Sequence, residues 1–326
     1  MNETVLDRFL RYVKIDTQSQ EDSSTYPSTS KQFDLLNLLV KELKELGLPH
    51  VEIDSYGYVM ATLPGNLPTS DKAYGNVPAV GFVSHVDTSP SASGKDVKPQ
   101  IITNYRGGDL TLPGDKSVVI KESENPELKN NIGKTIITSD GTTLLGADDK
   151  AGIAAILEAI HSLHEKGLRH RSLEVVFTIS EEIGTVGAKR LDYSLVSAKQ
   201  GICLDAKGPS SNIVTSAPSL VAIEVTITGR AAHAGSAPEK GINAIVVAAE
   251  AISNLSWGRL DEETTANVGV IQGGVARNVV PETVTVTAEL RSRNEVKFRA
   301  RLDQVVRSFN DAATRHGATV KVDLRD

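Results

Sequence analysis

The sequence lacks the features that mark secreted and membrane-bound proteins. It has one cysteine, Cys203, in 326 residues, which excludes an intrachain disulfide and favours a reducing, cytoplasmic setting. No stretch approaches the roughly 18 apolar residues that a membrane-spanning helix needs. The N-terminal residues mix acids and bases without an apolar run, which is not typical of a signal peptide. We therefore expect a cytoplasmic location and no membrane partner.

An excess of positive charge is also missing. The formal net charge is −6 and the pI about 5.7, so neither a nucleic acid nor an anionic membrane is an expected partner. The composition, with 40% hydrophobic and 23% charged residues, is that of a globular protein. A chain of this length exceeds one comfortable core, which predicts two domains.

Residues 1–213 alternate between strand and helix patterns. Apolar runs of strand length are expected to form central strands covered by helices on both faces, and residues at helical spacing predict amphipathic helices. Together they predict an α/β domain with a central, mostly parallel sheet flanked by helices. Region 88–135 is polar and is expected to be an excursion from this sheet. The predicted strands are 51–54, 58–63, 79–86, 173–179 and 202–204, and the predicted helices are 5–13, 33–43 (ended by Gly47) and 153–163 (ended by Gly167).

The pattern changes in residues 214–326. A strictly alternating segment at 283–290 predicts a half-buried strand, and 295–316 predicts a long helix. With the remaining segments the order becomes βαββαβ, which is that of a ferredoxin-like α+β domain. The other predicted elements are strands at 220–228, 268–271 and 319–324 and a helix at 242–255.

Acidic and imidazole side chains follow the apolar strands of the first domain. His85 and Asp87 end one strand, Glu181 and Glu182 follow another, and Asp205 follows the third. The functional crevice of an open α/β sheet lies beyond the carboxyl ends of its strands. So many carboxylates in one place repel one another and lose solvation unless cations neutralise them. A pair of divalent metal ions is the expected neutraliser.

The spacings agree with this chemistry. His85 and Asp87 are two apart on a strand end and point to the same side, which suits a metal-bound imidazole held by a carboxylate. Glu181 and Glu182 are adjacent, so one can bind metal while the other takes a proton from a water activated by the metal pair.

Each motif taken alone has a plainer interpretation. A lone His-x-Asp is more often a surface pair, and two acids before a helix are mainly an N-cap. Glu181-Glu182 alone is more often a solvated loop, and Asp205 alone can be a turn residue. Cys203 is expected to be a small buried strand residue and not a nucleophile. The conjunction of the motifs is what favours a metal centre.

At these residues the sequence resembles the cocatalytic zinc exopeptidases, the superfamily that includes aminoacylases and peptidase T. Four segments match the motifs of that superfamily in order and spacing, and the first domain is most similar to its peptidase T branch. The matching segments are SHVDT (84–88), TLLGADDKAG (143–152), SEEIG (180–184) and CLD (203–205), with YPSTS (26–30) and NYRGGDL (104–110) typical of the branch.

The resemblance implies a role for each matching residue of the first domain. Two divalent metals, for which zinc is the best assignment, would be held by His85, Asp148, Glu182 and Asp205, with Asp148 bridging both. Glu181 would be the general base, and Asp87 would orient His85. The implied reaction is the release of the N-terminal residue from short peptides, as by a tripeptide aminopeptidase.

In the second domain, HAG (233–235) and GGVARNVVPE (273–282) match a lid that holds substrate and joins two subunits into a homodimer. His233 would polarise the scissile carbonyl, often in the partner subunit's active site. Asn278 and Arg291 would bind substrate, since a guanidinium pairs bidentately with a terminal carboxylate.

Two departures from the resemblance leave alternatives open. The lid is closer to that of relatives that remove acyl groups, so an amidohydrolase or a carboxypeptidase acting on N-acylated amino acids is the second hypothesis. The resemblance also implies a last histidine ligand in a C-terminal segment of the first domain, whereas the sequence ends at Asp326. We therefore expect a C-terminal part to be missing, and a metal-binding fragment without turnover is the third hypothesis.

Overall fold

The structure is a computed structural model that describes residues 3–71, 78–209 and 211–325. The chain divides into two compact units, Met1–Asn212 and Ile213–Asp326, called the first and second unit below. No helix among the described residues combines the length and the hydrophobicity required to cross a bilayer.

The first unit is built on a mixed five-stranded sheet in the order β1-β2-β8-β3-β9. Strand β3 is parallel to both of its neighbours, whereas β1, β2 and β8 pair antiparallel. All six residues of β8 are buried, as expected for a central strand. The helices and strands are α1 Val5–Tyr12, α2 Gln32–Glu45, β1 His50–Ile53, β2 Val59–Leu63, β3 Val80–His85, β4 Gln100–Ile102, β5 Leu110–Thr111, β6 Val119–Ile120, β7 Ile136–Thr138, α3 Ala147–Glu165, β8 Leu173–Thr178 and β9 Gln200–Cys203.

Capping residues mark the start of α1 and the end of α2 in this unit. Thr4 and Asp7 form a capping box at the start of α1, which satisfies N–H groups that have no partner within the helix. Gly47 follows α2 with a φ of 85°, a left-handed conformation that favours glycine. The apolar stripes of α1, α2 and α3 pack into one core with β2 and β8. The α/β class expected from the sequence is therefore confirmed.

Strand β9 differs from its prediction as a central strand. All four of its residues, including Cys203, are exposed, so the prediction of a buried cysteine was wrong. The physical reason is position: in the described chain β9 pairs with β3 alone, and its other edge has no partner. An apolar run shows that a strand can be buried. Whether it is buried depends on the elements that pack beside it.

Region 88–135, expected to be an excursion, contains short strands of its own. β5 pairs with β6, and β4 pairs with β7 just beyond the region. Both pairs are separate from the five-stranded sheet. A short 3-10 helix at Pro126–Asn131 follows β6.

The second unit packs two helices on an antiparallel sheet in the order β12-β13-β15-β10-β16. Strand β15 alternates between buried and less buried residues along its length, which matches its alternating sequence. The long strands and the two helices follow the expected βαββαβ order, while β13 is longer than expected. The elements are β10 Ser219–Thr228, β11 Ala232–His233, α4 Ala244–Ser253, β12 Gly258–Arg259, β13 Thr264–Gly273, β14 Val279–Val280, β15 Thr283–Ser292, α5 Glu295–His316 and β16 Thr319–Arg325.

A buried ion network joins α1 to α2. The Arg8 guanidinium, which is fully buried, donates to Glu42 at 2.7 Å, and Tyr12 and Arg11 donate to the same carboxylate at 2.5 Å each. Burial, together with the Glu42 carboxylate, raises the pKa of the Tyr12 phenol well above its usual range. The phenol therefore stays a donor.

Substituting Glu42→Gln should lower the free energy of unfolding by about 3–5 kcal/mol, because it removes the carboxylate that directly pairs with the buried Arg8 guanidinium and leaves it only Glu3, at 4.0 Å. The measurement is a urea titration of both proteins. Glu45→Gln is the control on the same helix: Glu45 lies 3.7 Å from Lys41, whose side chain is 71% exposed, and should contribute less than about 0.5 kcal/mol. Equal losses in the two variants would contradict this account.

Candidate active site

The structure brings the strand-end residues to one edge of the mixed sheet. His85 is the last residue of β3, Glu181 and Glu182 lie just beyond β8, and Asp205 lies just beyond β9. These three strands are parallel, so their carboxyl ends meet. Asp148 arrives from the first turn of α3.

His85 lies at the centre of this group. Its Nε2 atom is 2.9 Å from Asp148 Oδ1, 3.8 Å from Asp205 Oδ1 and 3.9 Å from Glu181 Oε2. The imidazole is 2% exposed, whereas the Asp148 carboxylate is 66% exposed. One side of the cluster is thus buried protein, and the other side is open to solvent.

The two aspartates at the start of α3 have different surroundings. Asp148 faces His85, whereas the buried Asp149 carboxylate accepts a hydrogen bond from the Ser84 hydroxyl. The peptide bond between the two aspartates is cis. The residue that caps the helix is Gly146, with no side-chain hydrogen bond. The plainer interpretation of this pair as a side-chain N-cap is therefore not what the structure shows.

Asp87 contacts both His85 and the backbone of the two glutamates. His85 Nδ1 lies 3.0 Å from the backbone oxygen of Asp87 and 3.4 Å from its carboxylate. The carboxylate itself accepts the backbone N–H groups of Glu181 at 2.9 Å and Glu182 at 3.1 Å and the Ser19 hydroxyl at 2.6 Å. Asp87 therefore contacts both the imidazole and the backbone of the segment that carries the two glutamates.

Burial, and then repulsion from neighbouring carboxylates, raise the pKa values of the acids in and beside the cluster. Burial, and then the neighbouring Asp148 carboxylate, raise the pKa of Glu182 to about 7. Burial is also the main reason that the pKa of Asp149 rises to about 7, and the pKa of Glu181 is raised for the same reason. Burial alone would lower the pKa of His85, but hydrogen bonds to Asp148 and Asp205 outweigh it and raise that pKa. The group thus holds a proton tightly where a cation would relieve the same repulsion.

The donor set fits a divalent metal ion. The ligand atoms of His85, Asp148 and Asp205 all lie within 4.8 Å of one another, and Glu182 is not part of this group of three. One imidazole with several carboxylates is a set that zinc accepts, and a buried hydrogen bond on the far ring nitrogen is typical of a metal-bound histidine.

The second unit contains the three residues expected to bind substrate. His233 lies on β11, which pairs with β14, and the backbone oxygen of Asn278, just before β14, accepts the N–H of Ala234 at 2.9 Å. His233 and Asn278 are therefore neighbours. Arg291 lies near the far end of β15, where its Nε and Nη2 atoms donate to the Glu289 carboxylate at 3.1 and 3.0 Å. The substrate-binding roles of all three stay predictions.

Two family models match the chain. The peptidase dimerisation domain matches residues 215–317, and the M42 glutamyl aminopeptidase model matches residues 133–239.

Relatives match almost the whole chain. Peptidase T of Clostridium novyi is 39% identical over 326 residues, which cover 99% of this chain and 78% of that protein. The crystal structure of aminopeptidase PepT from Bacillus cereus is 33% identical with a TM-score of 0.78, covering 99% of this chain and 75% of that one. A tripeptidase structure from Staphylococcus aureus is 30% identical with a TM-score of 0.78, covering 100% and 76%. This chain therefore belongs to the peptidase T family of metallopeptidases.

Proposed function

We propose that this chain is a metal-dependent aminopeptidase that releases the N-terminal residue from short peptides, tripeptides in particular. The observation that carries the proposal is the cluster of His85, Asp148 and Asp205 with Glu181 beside it, in a chain whose relatives are named peptidase T. A cytoplasmic location belongs to the same proposal.

The metal ligands in this proposal are His85, Asp148, Glu182 and Asp205, with two zinc ions as the cofactor. When bound, the metal pair would supply positive charge that acidifies a water and polarises the scissile carbonyl. The protein's own contribution is to hold the ligands before the metal arrives. Asp87 does this through the imidazole on one side and the backbone of both glutamates on the other.

Glu181 is the proton carrier in this proposal. Its carboxylate lies beside His85 and is one-third exposed, so it can reach both solvent and a bound peptide. Burial, and then the carboxylates around it, raise its pKa. A raised pKa suits a group that takes a proton from the attacking water and returns it to the leaving amine.

His233 is prepared to donate a hydrogen bond. Its Nδ1 atom accepts the backbone N–H groups of Gly235 and Ser236 at 3.1 Å each. A neutral imidazole that accepts at Nδ1 must carry its proton on Nε2. The exposed Nε2–H can therefore donate to a peptide carbonyl and stabilise the charge that develops there.

The length of β15 supports a dimer that works through the second unit. Asn278 lies beside the start of β15, and Arg291 is eight residues along the strand from Thr283, a distance of roughly 25 Å at the usual rise per residue. An extended tripeptide spans only about 10 Å. One bound peptide cannot contact both ends in one protomer. If both residues bind substrate, His233 and Asn278 serve one active site and Arg291 serves another.

Replacing the proton carrier tests the reaction. Glu181→Gln should lower kcat for an unblocked tripeptide by about 10²–10⁴-fold, because it removes a general base, while the bound zinc stays the same. The measurements are release of the free amino acid and zinc content after dialysis. Glu127→Gln, on an exposed 3-10 helix, is the control. Unchanged turnover in Glu181→Gln would reject its role as the base.

The blocked end of the substrate distinguishes the three hypotheses. A tripeptide with a free amino group should be cleaved about 10- to 100-fold better in kcat/KM than its N-acetylated form, because a charge-assisted hydrogen bond to the amine is lost. The experiment supplies zinc, removes it with a chelator and restores it, and identifies the released residue. Preference for the acetylated peptide would favour the amidohydrolase or carboxypeptidase. Zinc binding without any cleavage would favour the metal-binding fragment.

Mixing two inactive variants tests the shared active site. His233→Ala and Arg291→Ala proteins should each lose activity, and the mixture should regain part of it, because one site of each mixed dimer has both residues intact. The measurement is kcat before and after the two proteins exchange subunits. Light scattering at micromolar concentration provides the mass. A strictly monomeric mass, or no recovery in a mixed dimer, would contradict the proposal.

A further inference from the structure

A buried chain of polar side chains leads from α2 to the active site. Gln32, in the first turn of α2, donates from Nε2 to the Ser28 hydroxyl at 3.1 Å, Ser28 donates to Ser19 at 3.0 Å, and Ser19 donates to Asp87 at 2.6 Å. Each of these four side chains is at most 4% exposed. Buried polar groups are costly unless they are fully paired, so a connected run of this length is a specific feature of the fold.

The direction of this chain of hydrogen bonds is determined by its members. Ser28 Oγ accepts from the amide of Gln32 and from the backbone N–H of Gln20 at 3.3 Å. With two donors on its oxygen, the Ser28 hydroxyl has its own proton left to give to Ser19. Ser19 in turn gives its proton to the Asp87 carboxylate. Each hydrogen bond of the first arm is therefore donated in the direction of Asp87. This direction is set by the Gln32 amide nitrogen, which can only donate.

A second arm runs from Gln32 to the backbone in front of Glu181. The Oε1 atom of Gln32 accepts the N–H of Ser180 at 3.2 Å, and the Ser180 hydroxyl accepts the N–H of Ser28 at 2.9 Å. Ser180 has a φ of 51°, in the left-handed region that residues other than glycine seldom adopt. The two contacts hold Ser180 in this conformation, and the position of Ser180 sets the position of the Glu181 backbone.

Both arms converge on the two glutamates. The first arm ends on the Asp87 carboxylate, whose oxygens accept the N–H groups of Glu181 and Glu182. The second arm holds the residue directly before them. A single side chain, Gln32, therefore acts on the Glu181-Glu182 segment from two sides without lying in the cluster itself.

We propose that Gln32 is a positioning residue for Glu181 and Glu182, acting through Ser180 on one arm and through Ser28, Ser19 and Asp87 on the other. The catalytic part of this inference rests on the proposed function, whereas the positioning of the backbone does not. An amide is the required group because it accepts at one atom and donates at the other. Methionine has a similar length, but it cannot donate a hydrogen bond and its sulfur is only a weak acceptor.

The test compares Gln32→Met with the wild-type chain in two independent measurements. The first is amide hydrogen exchange of segment 180–184, which should become at least about tenfold faster, because the Ser180 N–H loses its acceptor on Gln32 and the Asp87 carboxylate, which accepts from Glu181 and Glu182, loses the hydrogen-bonded support behind it. The second is peptide turnover with zinc, in which kcat should fall about 10- to 100-fold, as for partners of a metal site's ligands. The KM should stay within about threefold, because Gln32 is not a substrate-binding residue here.

Two further variants separate positioning from general loss of stability. Glu42→Gln is also on α2 and should destabilise the fold, but should leave the exchange of 180–184 relative to other segments and kcat near the wild-type values. Ser19→Ala breaks the first arm with a small change in volume. Its effect on kcat should be clearly non-additive with that of Gln32→Met, since both act through Asp87.

The outcomes decide the inference separately from the function. Unchanged exchange of 180–184 in Gln32→Met, or a change no larger than that in Glu42→Gln, would overturn it. Faster exchange in Gln32→Met alone supports it even if the wild-type chain binds zinc and cleaves no peptide, which would reject only the proposed function. Additive effects of Gln32→Met and Ser19→Ala in an active protein would overturn the link through Asp87.

Discussion

The repulsion among the carboxylates around His85 is the constraint on which the rest of the first unit depends. Asp148, Glu181 and Asp205 all approach one buried imidazole to within 4 Å. Such a group is stable only with positive charge at its centre. Hydrogen bonds to Asp148 and Asp205 outweigh the effect of burial and raise the pKa of His85, and a divalent metal would supply more positive charge at the same place. The preference for a cation is thus built into the arrangement of the ligands.

Asp87 links the cluster to the backbone that carries the two glutamates. It is fully buried, and the nearby imidazole, the Ser19 hydroxyl and the Glu181 N–H outweigh the effect of burial and keep its pKa below the usual range. A carboxylate that stays ionised is a strong hydrogen-bond acceptor. Asp87 can therefore accept from three donors and hold the backbone of the segment after β8. The serine and glutamine side chains behind it belong to the same arrangement.

In the second unit, the length of one strand sets the distance between the residues expected to bind substrate. A ten-residue β15 separates the His233 and Asn278 end from the Arg291 end by more than a short peptide can span. Residues that look like one substrate-binding set along the sequence are therefore distant along the strand. The peptidase dimerisation domain model matches residues 215–317 of this unit.

The sequence by itself determined most of the elements and predicted the acids and the histidine that meet at one edge of the sheet. Alternation in β15, helical stripes in α2 and α3, and acids after apolar strands are local patterns, and local patterns follow from backbone geometry. Sequence reasoning did not predict that three further residues, Asp149, Ser19 and Gln32, lie at or behind the cluster. A buried hydroxyl, amide or second carboxylate has no distinctive spacing in a sequence. The YPSTS segment, which contains Ser28, carries only a family resemblance in the sequence. Tertiary structure alone decided that β9 is exposed and that Gln32 reaches Ser180. The reason is physical: each of these facts depends on contacts between residues distant in sequence, and no local pattern encodes them.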